Sequence, residues 1–492
     1  MKFQVFQNGK AVDDFRLSAA YMFGADAIPL CGADKIRFKN GVIECKKRNY
    51  ESAGLALLWS VDGFGRVLLP TTRLPERKRP YNLNVELARA KLMQITLKRE
   101  DWAIFEQAGD FADLLHQAKG LFVEALRNVT DGAQASIYAD ESLKKAMVFS
   151  EKLAAKHAQT VLDARCKNKT LGRHSLGCCI DPEMMENEKY LKHLFEMFGF
   201  VTIPVNWAKI EPEKGVYDFS VIDGCINRLA SRRLAVSAGP LLSFSKEFLP
   251  AWLLESKQGF EKVRETAYEF VWQIVSRYAS HVHMWRVISG MNAQNCFGFN
   301  FEQIIEMTRA ACLAARSADP NSRKLVEILL PWGEYHAYNK DTVPPLVYTD
   351  MLIQSGIGFD AFGLKLAFGK DRPGMHIRDL MQISSMLDCY APVPKPLHIT
   401  GVAVPDECGS DEQDRRLAGF WRRQWDQLLQ GEWIEQFYKI ALGKPFINSI
   451  SYSNLADADD IEIPQSGLLD RDFEPKKAFI AVAKLQKTIL RK

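Results

Sequence analysis

The chain has 492 residues and a formal net charge of +4, with 47% hydrophobic and 25% charged residues. That length exceeds what one compact core supports, so two or three domains are expected. The nearly balanced charge offers no basic stripe for nucleic acid, and no run approaches the roughly 20 apolar residues of a membrane span.

The opening stretch, "MKFQVFQNGKAVDDF", alternates like a strand and lacks an apolar core of signal-peptide length. The ten cysteines are scattered, with Cys178 and Cys179 adjacent and no CxxC pair. Neither a disulfide framework nor a zinc site is therefore expected, and a cytoplasmic protein is. "KFQVF", "KIRFK", "GVIEC", "AGLALLWSV" and "GRVLLPTTRL" are short strand-like runs separated by Gly, Asn and Asp. They predict a β-sandwich-like domain over residues 1–105, a candidate carbohydrate-binding module. "RLPERKRPYN" (73–82) concentrates basic residues beside Tyr81 and reads as a solvated or interface loop, or as a patch for an acidic partner. "LNVELARAKLMQITLKREDWAIF" fits either a last strand or a first helix. "FADLLHQAKGLFVEALRNV" and "DESLKKAMVFSEKLAAKHAQTVLDAR" show helical spacing with acidic starts, giving a helical linker over 106–170.

From residue 171 to 492 the pattern changes to alternating strands and helices. Strands are predicted at 175–180, 199–203, 234–240, 284–288, 324–330, 359–366, 396–402 and 446–452. Between them lie helical stretches such as "MMENEKYLKHLFEMF", "FEQIIEMTRAACLAARSA" and "MHIRDLMQISSMLDCY". Eight such units over about 310 residues predict an α/β fold, a (β/α)₈ TIM barrel, whose function sits at the C-terminal ends of the strands.

Several landmarks in this half carry a resemblance. "FVTIPVNWAKIEPEKGVYDF", "FLPAWL", "MWRVISGMN", "PLHITGVAVP" and "SNLAD" with "GLLDRDFEPKKAF" resemble, in order, segments of glycoside hydrolase family 10, the xylanase family of retaining glycosidases. The likeness spans roughly residues 175–485. It implies a β-linked sugar as ligand and two carboxyl groups about 5–5.5 Å apart, one acid/base and one nucleophile. The family's acid/base glutamate maps onto Gly290, its preceding asparagine onto Ser289, and its nucleophile onto Gly401 after Thr400. The sugar-holding set on strand two becomes Thr202, Ile203 and Asn206. The histidine and tryptophan after strand three become Pro240 and Phe244, the strand-six pair becomes Lys365 and Ala367, and the strand-eight tryptophan becomes Tyr452.

Other residues are candidates for relocated chemistry. Glu334 in "PWGEYHAYN", flanked by Trp332, Tyr335 and His336, suits a sugar platform with a raised carboxyl pKa, or else a rim loop with a solvated acid. Asp181, Asp406 and Glu407 lie near the mouth, where capping is the plainer role. Lys365 projects from an apolar strand and could form a Schiff base or hold a carboxylate or phosphate; the plainer role is an ion pair with an acid such as Glu327. His398 reads as a structural histidine. Asn292, Gln294 and Asn295 could bind hydroxyl groups or form an ordinary loop. No metal motif appears, since His281 and His283 precede their strand on the wrong barrel face; "GFGRV" is a weak phosphate loop, and no cofactor is implied. The leading expectation is a non-hydrolytic barrel that binds a carbohydrate or polyol through Asn206, Trp207, Asn292, Trp332, Tyr335 and Tyr452. An active glycosidase with relocated carboxylates, Glu334 foremost and Lys365 next, and a structural scaffold are the alternatives. Oligomeric state is open.

Overall fold

The eight apolar runs of the second half become eight parallel strands. In chain order these are Leu176–Cys179, Phe200–Ile203, Ala235–Ala238, Met284–Ser289, Arg323–Leu329, Ala361–Ala367, Leu397–Ala403 and Ile447–Tyr452. They are buried along nearly their whole length, as parallel strands covered on both faces must be, which is why they read as continuous apolar runs. The computed structural model describes residues 1–32, 35–47, 51–102, 111–230, 232, 234–407, 417–459 and 461–491. Each strand pairs with the next, strand eight pairs with strand one (Leu176 opposite Ile450), and Ala238 opposite Trp285 joins strands three and four. The ring is closed, so no sheet edge is left open.

Helices surround the barrel. Phe301–Ala318 opens with Asn300 and Gln303 in a reciprocal capping pair, and Leu380–Asp388 does the same through Asp379 and Gln382. Both were visible as helical spacing in the sequence.

Among the described residues, the first 82 form a two-stranded ribbon, Phe6–Gln7 with Lys10–Ala11, and two small sheets. One holds Tyr81–Asn82, Lys2–Gln4, Val42–Cys45 and Ile36–Lys39; the other holds Gly65–Pro70, Gly54–Val61, Tyr21–Phe23 and Pro29–Leu30. Phe15 packs against Phe38 of the first and Trp59 of the second, with ring centroids 5.8 Å away in both cases. The second sheet is completed by Phe420–Trp421, which lies between barrel strand seven and its helix. A loop of the barrel thus supplies a strand to the N-terminal region.

The ambiguous segment after residue 82 is a helix, Leu83–Trp102, so helical structure begins well before residue 105. The expected boundary at 105/106 falls at 103–110, outside the described residues. Two more helices follow, Ala112–Arg127 and Gly132–Lys167, the latter capped by Asp131, which accepts from the N–H groups of Ala133 and Gln134. They join the N-terminal sheets to the barrel through buried polar contacts. Lys91 pairs with Asp379 at 2.9 Å, and Glu151 accepts from the Trp421 indole at 2.8 Å and pairs with Arg422 at 3.1 Å.

Candidate functional site

On strands four, five and six, Arg286, Glu327 and Lys365 replace the apolar barrel filling. Glu327 on strand five is 1% exposed and pairs with Arg286 of strand four at 3.1 Å, while the Ser289 hydroxyl donates to its other oxygen at 2.5 Å. Burial pushes the Glu327 carboxyl up, but Arg286, then Lys365, and the hydroxyls of Ser289 and Thr400 outweigh it and hold the group below the usual range. Lys365 on strand six pairs with Glu462 at 2.8 Å, the two side chains being 34% and 39% exposed. Desolvation favours a neutral amine at Lys365, yet Glu462 and Glu327 prevail and keep it above the ordinary lysine value. Lys365 in turn holds Glu462 below its usual range, against burial and with help from Lys370. The Cys179 thiol of strand one, raised by burial, also responds to Arg286, Lys365 and Glu327. These charges therefore converge across the barrel axis.

Two irregularities in strand pairing set this layer. The register shifts between Arg286 and Ile288 on strand four and leaves Ser289 opposite Glu327. A second shift after Leu364 leaves Lys365 opposite Gly401. Such bulges re-aim side chains at barrel rims.

Gly290 and Gly401 sit in this layer without room to spare. A Cβ on Gly401 would lie 3.0 Å from the Ser453 hydroxyl and 3.1 Å from Cγ of Lys365. A Cβ on Gly290 would meet Leu329 Cδ1 at 2.5 Å, and the backbone there has φ +71°, a left-handed conformation that glycine adopts without cost.

Glu334 is not at an open rim. It is 1% exposed and pairs with the Arg378 guanidinium, while the Gly374 N–H donates to it at 2.5 Å and His376 Nδ1 lies at 3.3 Å. Arg378 in turn covers the Trp332 ring at 3.9 Å. Glu334 is thus buried against Arg378, whereas the sequence suggested an acid at an open rim. Lys365 has Glu462 as its ion-pair partner, with Glu327, the partner expected from the sequence, as a further charged neighbour.

The expected sugar-contacting residues are mostly spent on the protein itself. Trp207 is buried, stacks on Phe270 at 4.4 Å and donates to Glu211 at 2.7 Å. Tyr452 is buried and donates to the Ser466 carbonyl at 2.7 Å. Asn292, fully buried, donates to the Leu329 carbonyl and the Tyr335 hydroxyl, and Tyr335 donates to the Val343 carbonyl. None of these four offers a face to a ligand in this conformation. Trp332 is half-buried beneath Arg378. Asn206 is half-buried, and its Oδ1 has no hydrogen-bond partner among the described residues.

The remaining candidates have plain roles. Asp181 caps Pro182–Met184, Asp406 pairs with Lys476 at 2.9 Å, and Glu407 accepts from Gln465. Ser243 donates to Gln294, and Asn295 closes its own loop onto Phe299. His398 is buried, bonded to Ser449 at 2.8 Å and pushed down to about 4 by desolvation. Arg77 lies over the Tyr81 ring at 3.4 Å, so part of the basic 73–82 run packs on itself. Among the described residues no three His, Cys, Asp or Glu side chains group as a metal site, and no helix is long and apolar enough to cross a membrane.

Sequence reasoning missed Glu462, which lies in the loop between the "SNLAD" and "GLLDRDFEPKKAF" landmarks and belongs to neither. Ile463 beside it is 1% exposed and packs with Ala367, Met375, Ala403 and Leu330, closing the mouth over strands five to seven. One alternating apolar residue in a polar loop is too weak a signal to be read in advance.

Retaining glycoside cleavage needs a protonated acid of raised pKa beside an ionised nucleophile. Glu327 and Glu462 are both held ionised by cations, so neither donates a proton near neutral pH. The cations of this layer each hold a carboxylate of the protein, Arg286 holding Glu327 and Lys365 holding Glu462.

Residues 165–485 match the model of Glycosyl hydrolase family 10. Among solved structures the chain is similar to native xylanase 10B from Thermotoga maritima, with 17% identity and a TM-score of 0.51 over 67% of this chain and 99% of that one. It is similar also to a family 10 protein from Paenibacillus barcinonensis (18% identity, TM-score 0.50, 65% and 97% covered). Native xylanase10C from Cellvibrio japonicus gives 16% identity and a TM-score of 0.50, with 64% and 70% covered. At such identities these likenesses establish the fold alone, and no curated protein matches the sequence. The family model spans well over half of the chain and coincides with the closed eight-stranded barrel, so this chain belongs to glycosyl hydrolase family 10.

Proposed function

We propose that this family member does not cleave glycosidic bonds by the two-carboxylate route, and that its mouth binds a carbohydrate or polyol without cutting it. The observation that carries this reading is the ammonium of Lys365. Its side chain runs beside Gly401, the position onto which the family nucleophile maps, at a distance of 3.1 Å from where a Cβ would stand. A side chain ending in a cation, where the resemblance expects a carboxylate, opposes the positive charge that develops on the sugar in the transition state. Gly290 supplies no proton, and general acid/base help is typically worth about 10²–10⁴ in rate. Family membership and the xylanase neighbours support a saccharide as the ligand class.

The direct test is a long incubation of the purified protein with xylo-oligosaccharides, followed by mass spectrometry. No product above a protein-free blank is expected. Cleavage that disappears in Glu462→Gln would instead establish a glycosidase with a relocated carboxylate, and loss in Glu334→Gln would assign that role to Glu334. The scaffold reading draws support from Ile463 packed over strands five to seven. It predicts that no saccharide, neutral or charged, binds in calorimetry.

A further inference from the structure

The Lys365–Glu462 pair is unlike the other charges in the mouth. Glu327 is buried and matched by Arg286 and Ser289 within the barrel wall. Glu462 comes from outside that wall, on the loop after strand eight, and both members of its pair are a third or more exposed. Both groups also feel desolvation, so Lys365 needs an anionic partner, and a carboxylate from a ligand can meet that need as Glu462 does. Lys370, from the loop after strand six, reaches the Glu462 backbone carbonyl at 3.4 Å and adds a second cation nearby. Ser453 contributes a hydroxyl without a hydrogen-bond partner among the described residues, 3.0 Å from the Cβ that Gly401 lacks. The next residue, Ile463, is anchored in an apolar pocket.

We propose that Glu462 is an internal occupant of an anion subsite, and that the ligand is a sugar acid whose carboxylate takes its place on Lys365, with Ser453 as a second donor. The occupant is itself a carboxylate, so the subsite already has the geometry of that group. The inference rests on the non-hydrolytic, saccharide-binding reading and specifies its substrate class.

Calorimetric titration of the full chain with glucuronate, xylose and acetate tests it. Glucuronate should bind Glu462→Gln at least about tenfold more tightly than the parent, because the internal competitor is gone. Binding should be lost in Lys365→Gln, and acetate should bind at least about tenfold more weakly than glucuronate. Xylose should respond to neither substitution. Equal glucuronate affinity in the parent and Glu462→Gln, absence of binding to Glu462→Gln, or acetate binding as tightly as glucuronate would each overturn the proposal. Thermal melts check that the variants fold; should Lys365→Gln unfold, the Glu462→Gln comparison decides alone. Glucuronate has no glycosidic bond, so this outcome is separate from whether oligosaccharides are cleaved.

Discussion

On the proposed non-hydrolytic reading, single residues set the chemistry of this barrel. At Gly401 the space beside the backbone is taken by Lys365 and Ser453, and at Gly290 the backbone is left-handed and pressed against Leu329. Restoring the carboxylates is therefore not a matter of two substitutions. The double variant Gly290→Glu, Gly401→Glu should show no hydrolysis of xylo-oligosaccharides by mass spectrometry. A glutamate at 401 would pair with Lys365, and one at 290 would carry a backbone strain of order 1–3 kcal/mol. Recovered cleavage would mean that the family geometry survives beneath the glycines. The glycines were legible in the sequence as departures from a motif. The burial of Glu334 was not, because its partners Gly374, His376 and Arg378 lie some forty residues away and meet it through the fold.

At the scale of elements, the strands and helices of the barrel could be read from local pattern, since parallel strands buried on both faces leave β-branched runs. The helix Leu83–Trp102 was ambiguous for a physical reason. It buries Glu86 and Lys91 as well as Leu87, Leu92 and Ile95, so its packing does not follow one apolar stripe. Its start is tied down by Asn84, which bonds the backbone of Phe6 and donates to both oxygens of Asp140 on Gly132–Lys167. Burial raises the Asp140 carboxyl to about 6 despite Asn84. The folded state thus holds this proton more tightly than the unfolded chain, so the stabilisation is complete below about pH 4 and is lost as pH rises through about 6. Asp140→Asn should gain roughly 1–2 kcal/mol at neutral pH and little in acid, allowing for partial exposure of the site. Urea unfolding at the two pH values checks this; an equal effect at both would show that the carboxyl is not the titrating group.

At the scale of the molecule, the N-terminal region is built into the barrel. Phe420–Trp421 completes its second sheet, Gly65 and Gly419 allow the close approach at that junction, and Lys91–Asp379 is a buried pair across it. Removing residues 1–165 would leave Asp379 without Lys91 and expose Trp421. Breaking one such buried pair typically costs about 3–5 kcal/mol. The full chain should melt in one calorimetric transition, and the isolated barrel should melt at lower temperature or fail to stay soluble. Two well-separated transitions in the full chain would instead make the N-terminal region an independent module.

Local periodicity pointed to the barrel, its position in the chain and its mouth as the place to search, and the family resemblance pointed to Gly290 and Gly401. These follow from local rules: strand burial, helix caps and motif spacing act over a few residues. Only the tertiary structure decided which charges meet. Lys365 and Glu462 are nearly a hundred residues apart, Glu151 and Trp421 nearly three hundred, and nothing in the local pattern of either member specifies the other. Electrostatic pairing depends on distance in space, and that distance is set by the barrel's closure.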